Sequence, residues 1–339
     1  MNNCLLQING ETDTMKNENE HEKKPYRGGK PGYKKNTGNF KGYNNSYVRK
    51  PAAKKQTEEE RFFADDTQDV TENVSASAAQ GEGRPNPADD ETNGAVVGRN
   101  AVRELLRSGR TIDKIFVRKG DREGSITMLV ALALEQKIPV IEVEKQKLDT
   151  LACGLPHQGI VAMAAQKEYC SVDDILKIAE ERGELPLIVI ADNINDPNNL
   201  GAMLRCAEGA GAHGVIIPKR HATGVSPAVT RASAGAVEHI AIAKVTNLSQ
   251  TIEDLKAKGI WTYAAEADGT PYYEVDYAGP CALVFGSEGD GVSRIVREHC
   301  DFVISIPMYG KVNSLNVSTA SAVIINEAKR AQVKKTAKS

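Results

Sequence analysis

The chain has 339 residues, 26% of them charged, and a formal net charge of −2, so its overall charge singles out no class of partner. It is long enough for two domains. It has no run near the roughly eighteen apolar residues needed to span a membrane, and residues 1–20 lack the apolar core of a signal peptide. Cys4, Cys153, Cys170, Cys206, Cys281 and Cys300 form no C-x-x-C pair, which predicts no metal site and reduced, mostly buried thiols in a cytoplasmic protein.

Residues 1–93 are rich in Asn, Gly, Lys, Glu and Pro without apolar periodicity, and are expected to form a disordered tail. The tail splits by charge. Residues 21–56 carry eleven Lys or Arg against Glu22, interleaved with Tyr26, Tyr33, Phe40, Tyr43 and Tyr47, whereas 57–92 carry eleven acids against Arg61 and Arg84. Cations suit phosphate and aromatic rings suit unstacked bases, so the basic block is expected to touch RNA; the plainer alternative is a solvated tail.

Order is predicted from Ala95. Helices at 98–106, 125–136 and 145–151 alternate with strands at 112–117, 139–143 and 159–165, giving a small α/β unit over 95–168. Between positions 99 and 119 it holds Arg99, Arg103, Arg107, Arg110, Lys114, Arg118 and Lys119 against Glu104 and Asp113, a basic face in prospect. Ser171 and Asp174 form a capping-box pattern at the head of a linker helix over 169–184. A larger α/β domain is expected over 185–332. Its first strand, 185–191, is continuously apolar, as in a buried parallel sheet. Further strands at 214–217, 239–243, 260–264, 282–285 and 302–306 alternate with helices at 200–208, 227–234, 248–258, 292–298 and 315–330. Such alternation predicts a mainly parallel sheet covered on both faces, with ligands beyond the carboxyl ends of its strands.

Three loops after strands carry the unusual polar residues. The first runs from Asp192 through Asn199, a candidate helix cap, to Arg205, which the apolar pattern around it places as a partly buried cation in need of a partner. The second, 285–291, has three glycines, Gly286, Gly289 and Gly291, flanking Glu288, and would bring backbone close to a ligand. The third joins Ile306, Pro307, Met308 and Gly310 to Ser314, a candidate N-cap, and then to Leu315, Asn316 and a run of small residues that would let a helix N-terminus press against other backbone. Each alone is also what an ordinary strand-to-helix junction looks like. The G-x-G-x-x-G at 209–214 ends a helix and precedes a strand, the wrong context for a dinucleotide site.

Together the three loops resemble, in order and spacing, the three motifs of the SpoU (TrmH-type) family of RNA ribose 2′-O-methyltransferases of the SPOUT superfamily. The strings involved are Asn199 with Arg205, Phe285-Gly286-Ser287-Glu288-Gly289, and Ile306-Pro307-Met308 with Ser314-Leu315-Asn316-Val317-Ser318. The unit over 95–168 is similar to that family's RNA-binding domain through Gly98-Arg99-Asn100-Ala101-Val102 and His157-Gln158-Gly159-Ile160. The resemblance implies an α/β fold whose C-terminal SPOUT domain holds a deep trefoil knot. It also implies S-adenosylmethionine as cofactor, a homodimer, and no metal. The version of the third motif favours the bacterial subgroup that methylates a guanosine ribose in the peptidyl-transferase region of 23S rRNA.

By the same resemblance Arg205 activates the 2′-hydroxyl, Asn199, Glu288, Ser314 and Asn316 orient the reactants, and Gly286, Ile306, Met308 and Leu315 hold the cofactor. Arginine is in effect always protonated, so the residue chemistry alone suits Arg205 better to clamping a phosphate than to acting as a base. Two further functions fit the same fold: a non-catalytic RNA-binding assembly factor, and a methyltransferase acting on tRNA.

Overall fold

The structure, a computed structural model, describes residues 94–120 and 124–336; the tail with its basic and acidic blocks lies outside the described residues. The first ordered part is a four-stranded sheet. Its elements are β1 (Ala95–Val97), α1 (Arg99–Ser108), β2 (Ile112–Arg118), α2 (Ser125–Glu135), β3 (Val140–Val143), α3 (Lys145–Leu151) and β4 (Ile160–Ala164). The strand order is β1-β4-β2-β3, with β2 parallel to β3 and antiparallel to β4. β1, three buried residues paired with β4, has no counterpart among the expected strands, because so short a segment shows no alternation. Val96 and Ile115 pack on one face of this sheet, and Val97 and Phe116 on the other.

α4 (Val172–Arg182) follows, closed at its head by the expected capping box: Ser171 Oγ accepts the Asp174 N–H and the Asp174 carboxylate accepts the Ser171 N–H. The second sheet then takes shape from β5 (Leu187–Ala191), α5 (Pro197–Gly209), β6 (Gly214–Pro218), α6 (Pro227–Ala232), β7 (Ala241–Val245) and α7 (Leu248–Ala257). It is completed by β8 (Trp261–Pro271), β9 (Cys281–Phe285), α8 (Arg294–His299), β10 (Phe302–Ser305) and α9 (Val317–Thr336). The order is β10-β8-β9-β5-β6-β7 and every pairing is parallel. In β5 the side chains alternate between two cores: Leu187 and Val189 pack toward α5 and α9, Ile188 and Ile190 toward α4 and α7. A strand buried on both faces has no polar side to show, which is why its sequence is apolar throughout.

Four expectations need correction. β8 runs to Pro271, past the predicted end at 264. It carries Gly269, where a Cβ would sit 2.6 Å from the backbone of Val303 and Ile304, so glycine lets the strand stay against β10 through a register shift. β7 begins two residues late because a 3-10 turn, Ala236–Glu238, intervenes. Arg110 does not join a basic face; it is drawn inward to Glu238, 2.9 Å away. The described thiols are mostly not buried: Cys281 is, but Cys170, Cys206 and Cys300 are half-buried and Cys153 is exposed.

No described helix is long and apolar enough to cross a membrane. Among the described residues no cluster of His, Cys, Asp and Glu is arranged to hold a metal ion.

Candidate active site

The carboxyl ends of β9 and β10, with the middle of β8, border a cavity of about 360 Å³, the size of a small-molecule site. The glycine loop after β9 forms one wall. Ser287 N–H donates to Gly291 O at 3.1 Å and Gly291 N–H returns to Ser287 O at 3.0 Å, so the loop closes on itself. Gly286 lies inside that closure: a Cβ there would overlap the carbonyl group of Gly291. Gly291 itself turns at φ 67°, a conformation that favours glycine. Opposite stand Ile306, Met308, Ser314 and Leu315, with Ile304, Val317 and Ile324 as an apolar floor. Gly286, Ile306, Met308 and Leu315 therefore meet at one cavity, and Glu288 and Ser314 line it too.

Polar side chains lock the loops together. Asn316 Nδ2 donates to Asn199 Oδ1 at 2.9 Å and also to Glu288 Oε1. Asn199 is buried, whereas Asn316 and Glu288, which lines the cavity, are exposed. This brings one residue from each of the three loops into a single hydrogen-bonded set. The capping assignments differ from expectation. Asp196, not Asn199, caps α5: its Oδ1 accepts the Asn198 N–H at 3.0 Å, with Pro197 at the first helical position. Asn199 sits within the first turn, and its side chain is free for Asn316. Likewise Asn316, not Ser314, heads α9, its Oδ1 accepting the Ser318 N–H at 2.9 Å.

Arg205 stands apart from this set. It is exposed, with no hydrogen bond or ion pair among the described residues, so the expectation of a half-buried cation needing a partner fails. It shares a helix face with Gly201 four residues earlier. That face packs on α6, where a Cβ on Gly201 would lie 2.5 Å from Ala232 Cβ. Six residues on from Asn199, Arg205 stands about 120° round the helix from it.

Two site-building residues were given no role from the sequence, although Asp192 opens the first loop. Glu266, at the cavity edge on β8, accepts the Val292 N–H and so pins the far end of the glycine loop. Asp192, buried at the end of β5, accepts the Ser293 N–H at 2.7 Å. For Asp192 the signal was an acid directly after an apolar strand; Glu266 gave none, since its partner lies on a distant loop.

Comparison with known proteins finds relatives for both sheets. Residues 186–326 match the SpoU rRNA Methylase family, and residues 95–170 match the family described as RNA 2′-O ribose methyltransferase substrate binding. A Bacillus subtilis (strain 168) protein assigned by name to the TrmH family of tRNA/rRNA methyltransferases is 44% identical over 236 residues, 69% of this chain and 94% of that one. A Staphylococcus haemolyticus relative named for the same family is 45% identical over the same shares. The fold is that of the SpoU methyltransferase AviRb from Streptomyces viridochromogenes, solved in complex with AdoMet, at a TM-score of 0.59 and 24% identity over 71% of this chain and 90% of that one. An AdoMet-bound rRNA methyltransferase from Sinorhizobium meliloti superposes with a TM-score of 0.58 at 27% identity, covering 71% and 88%. Since the Bacillus relative is matched over nearly its whole length and both family regions fall on the two sheets, this chain belongs to the SpoU rRNA methylase family.

Proposed function

We propose that this protein transfers a methyl group from S-adenosylmethionine to a ribose 2′-hydroxyl of RNA, with a guanosine in the peptidyl-transferase region of 23S rRNA as its target. The observation that carries the reading is the hydrogen-bonded set of Asn199, Asn316 and Glu288 at the mouth of a glycine-walled cavity. The cavity fits the cofactor. Gly286 leaves no room for a side chain, so backbone faces the ligand, and the floor of Ile304, Val317 and Ile324 suits the apolar face of an adenine. When bound, the cofactor supplies a methyl carbon made electrophilic by the adjacent sulfonium.

The chain's own residues then have three tasks. The backbone around Gly286, Ile306 and Leu315, with Met308 beside it, holds the adenosyl group. Asn199, Asn316, Glu288 and Ser314 orient the ribose hydroxyl for an in-line approach; positioning of this kind supplies much of the rate. Arg205, whose planar guanidinium suits phosphate, clamps the phosphate next to the reacting ribose. Because Arg205 makes no hydrogen bond or ion pair with the Asn199 set among the described residues, the reading includes a homodimer in which a second copy brings an Arg205 to each site.

The reading also includes the family's trefoil knot. Two observations support it: after the edge strand β10, α9 returns to pack over β9 and β5, and Gln332 Nε2 donates to the carbonyl oxygens of Pro186 at 3.1 Å and Gly279 at 2.9 Å.

Incubation with tritiated S-adenosylmethionine and unmodified 23S rRNA, with tRNA in parallel, tests the reading. Label is expected in 23S rRNA on one ribose, and Arg205→Ala is expected to lower the rate by about 10²-fold or more. Label confined to tRNA would move the target, as the names of the relatives allow. Cofactor binding without transfer to either RNA would overturn the enzymatic reading in favour of a binding protein.

A further inference from the structure

The loop that follows β6 lies on the same carboxyl edge as the candidate active site, because β6 neighbours β5, which feeds the Asn199 loop. It carries Lys219, Arg220 and His221 in succession, all exposed. None of these three side chains makes a hydrogen bond or ion pair among the described residues.

The loop is pinned in place. Lys219 N–H donates to Val245 O at 2.7 Å, and Thr223 N–H donates to Ile194 O at 3.1 Å, tying the loop to the Asn199 segment. His221 turns it at φ 56°. Tyr169, from the segment joining the two sheets, accepts the Val225 N–H on its hydroxyl at 2.9 Å, and its ring lies 4.6 Å beneath Lys244 Nζ. Gly224 lets the loop press onto that pair, since a Cβ there would lie 3.0 Å from the tyrosine hydroxyl and 3.2 Å from the ammonium. A held loop thus presents adjacent cations that no acid among the described residues neutralises, with Lys244 behind them. Mutual repulsion among them favours a polyanion laid across the loop.

We infer that Lys219 and Arg220, with Lys244 and Tyr169 supporting their loop, seat the backbone phosphates of the substrate RNA on the side of the site away from the cofactor. This rests on the proposed RNA methyltransferase reading. Adjacent strands are about 4.8 Å apart, so the loops after β9 and β6, two strands from each other, stand roughly 10 Å apart. A ribose held at the Asn199 set between them would therefore place nearby phosphates over the cations.

The test is RNA affinity as a function of salt, read by fluorescence anisotropy with an unmodified transcript of the 23S peptidyl-transferase region. Lys219→Gln/Arg220→Gln is expected to bind about tenfold more weakly, and its plot of log affinity against log salt to be shallower by about 1.4, roughly 0.7 for each single-strand phosphate that is no longer neutralised. Each single substitution should give about half that change in slope. Lys219→Arg/Arg220→Lys, which keeps the charges, should retain the wild-type slope. S-adenosylmethionine affinity should be unchanged throughout, which separates a missing phosphate seat from a misfolded protein.

A neutral double variant with wild-type affinity and slope overturns the inference, even if the wild-type protein methylates RNA. Wild-type protein that transfers no methyl group, yet loses salt dependence in the double variant, overturns the enzymatic reading and supports the loop as an RNA seat.

Discussion

Asn316 donates from Nδ2 to Asn199 Oδ1 at 2.9 Å, joining the head of α9 to the first turn of α5 across 117 residues of chain. The same nitrogen serves Glu288, and Asn316 Oδ1 accepts the Ser318 N–H at 2.9 Å. With acceptors on one side and a donor on the other, the amide has only one orientation that satisfies all its neighbours. One side chain therefore caps a helix and sets the spacing between two loops of the site.

Asn316→Asp separates these roles. It keeps the cap oxygen but turns the donor into an oxygen facing Asn199 Oδ1 and the Glu288 carboxylate. A hydrogen bond to a charged group is worth about 1.5–3 kcal/mol, so methyl transfer should fall about 10- to 150-fold. Single-turnover incorporation of tritiated methyl into RNA is the measurement. Turnover within about twofold of wild type would mean that the set does not position the reactants.

Gly286→Ala attacks the cavity wall. Its Cβ would overlap the Gly291 carbonyl, and no flexible side chain is there to yield. The loop must open to admit it, at an overpacking cost of about 1–3 kcal/mol. Since Gly286 faces the cavity, S-adenosylmethionine affinity should drop by about tenfold or more. Isothermal titration calorimetry reads this directly, with far-ultraviolet circular dichroism to show that the sheet persists. Unchanged affinity would place the cofactor elsewhere.

How much of this was legible follows from the range of each interaction. β5 could be read because a strand buried on both faces must be apolar throughout, and the head of α4 because Ser171 and Asp174 satisfy one another three residues apart. The loops of the site stood out by their density of Asn, Gly and acids. The head of α9 was misplaced because Ser314 and Asn316 are both good caps, and only the fold decides which oxygen meets the Ser318 N–H. The far end of β8 was hidden behind Asp268, Gly269 and Pro271, residues that discourage strands and are held here by β10. Glu266 could not be recognised because its partner, Val292, lies 26 residues on. The exposure of Arg205 depends on how α5 sits against α6, which local pattern does not encode.

The junction between the two sheets gives a stability prediction. Arg110 Nη1 donates to both oxygens of Glu238, at 2.9 and 3.1 Å, and Lys167 Nζ donates to the Glu238 carbonyl at 3.2 Å. The Glu238 side chain is 1% exposed. Burial pushes its carboxyl pKa up even with Arg110 and Lys167 beside it, so desolvation outweighs the attraction. Arg110→Ala should thus destabilise by about 3–5 kcal/mol by stranding a buried carboxylate, whereas Arg110→Met/Glu238→Leu should recover most of the loss. Urea unfolding of the two variants checks this; a double variant as unstable as the single one would show the pair to be a net source of stability.

His213 supplies the pH dependence. Its side chain is fully buried at the mouth of β5, where Nδ1 accepts the Leu187 N–H at 3.0 Å and Nε2 lies 3.5 Å from Glu184. An acceptor at Nδ1 requires the neutral ring with its hydrogen on Nε2. Burial holds the imidazole below its ordinary pKa of 6.5, although Glu184 pulls the other way. Below about pH 6.5 the unfolded chain takes up a proton that the folded chain refuses, so stability is present above that value and is lost as pH falls toward the folded pKa. The slope is at most about 1.4 kcal/mol per pH unit for one group. Asn at this position offers an oxygen to the Leu187 N–H and does not titrate. His213→Asn should therefore melt with a flatter pH dependence than wild type between about pH 5 and 6.5, while Glu184, whose pKa is lowered by its hydrogen bond to Lys329, stays ionised in both proteins. Parallel slopes for the two proteins in thermal melts over that range would remove His213 as the source.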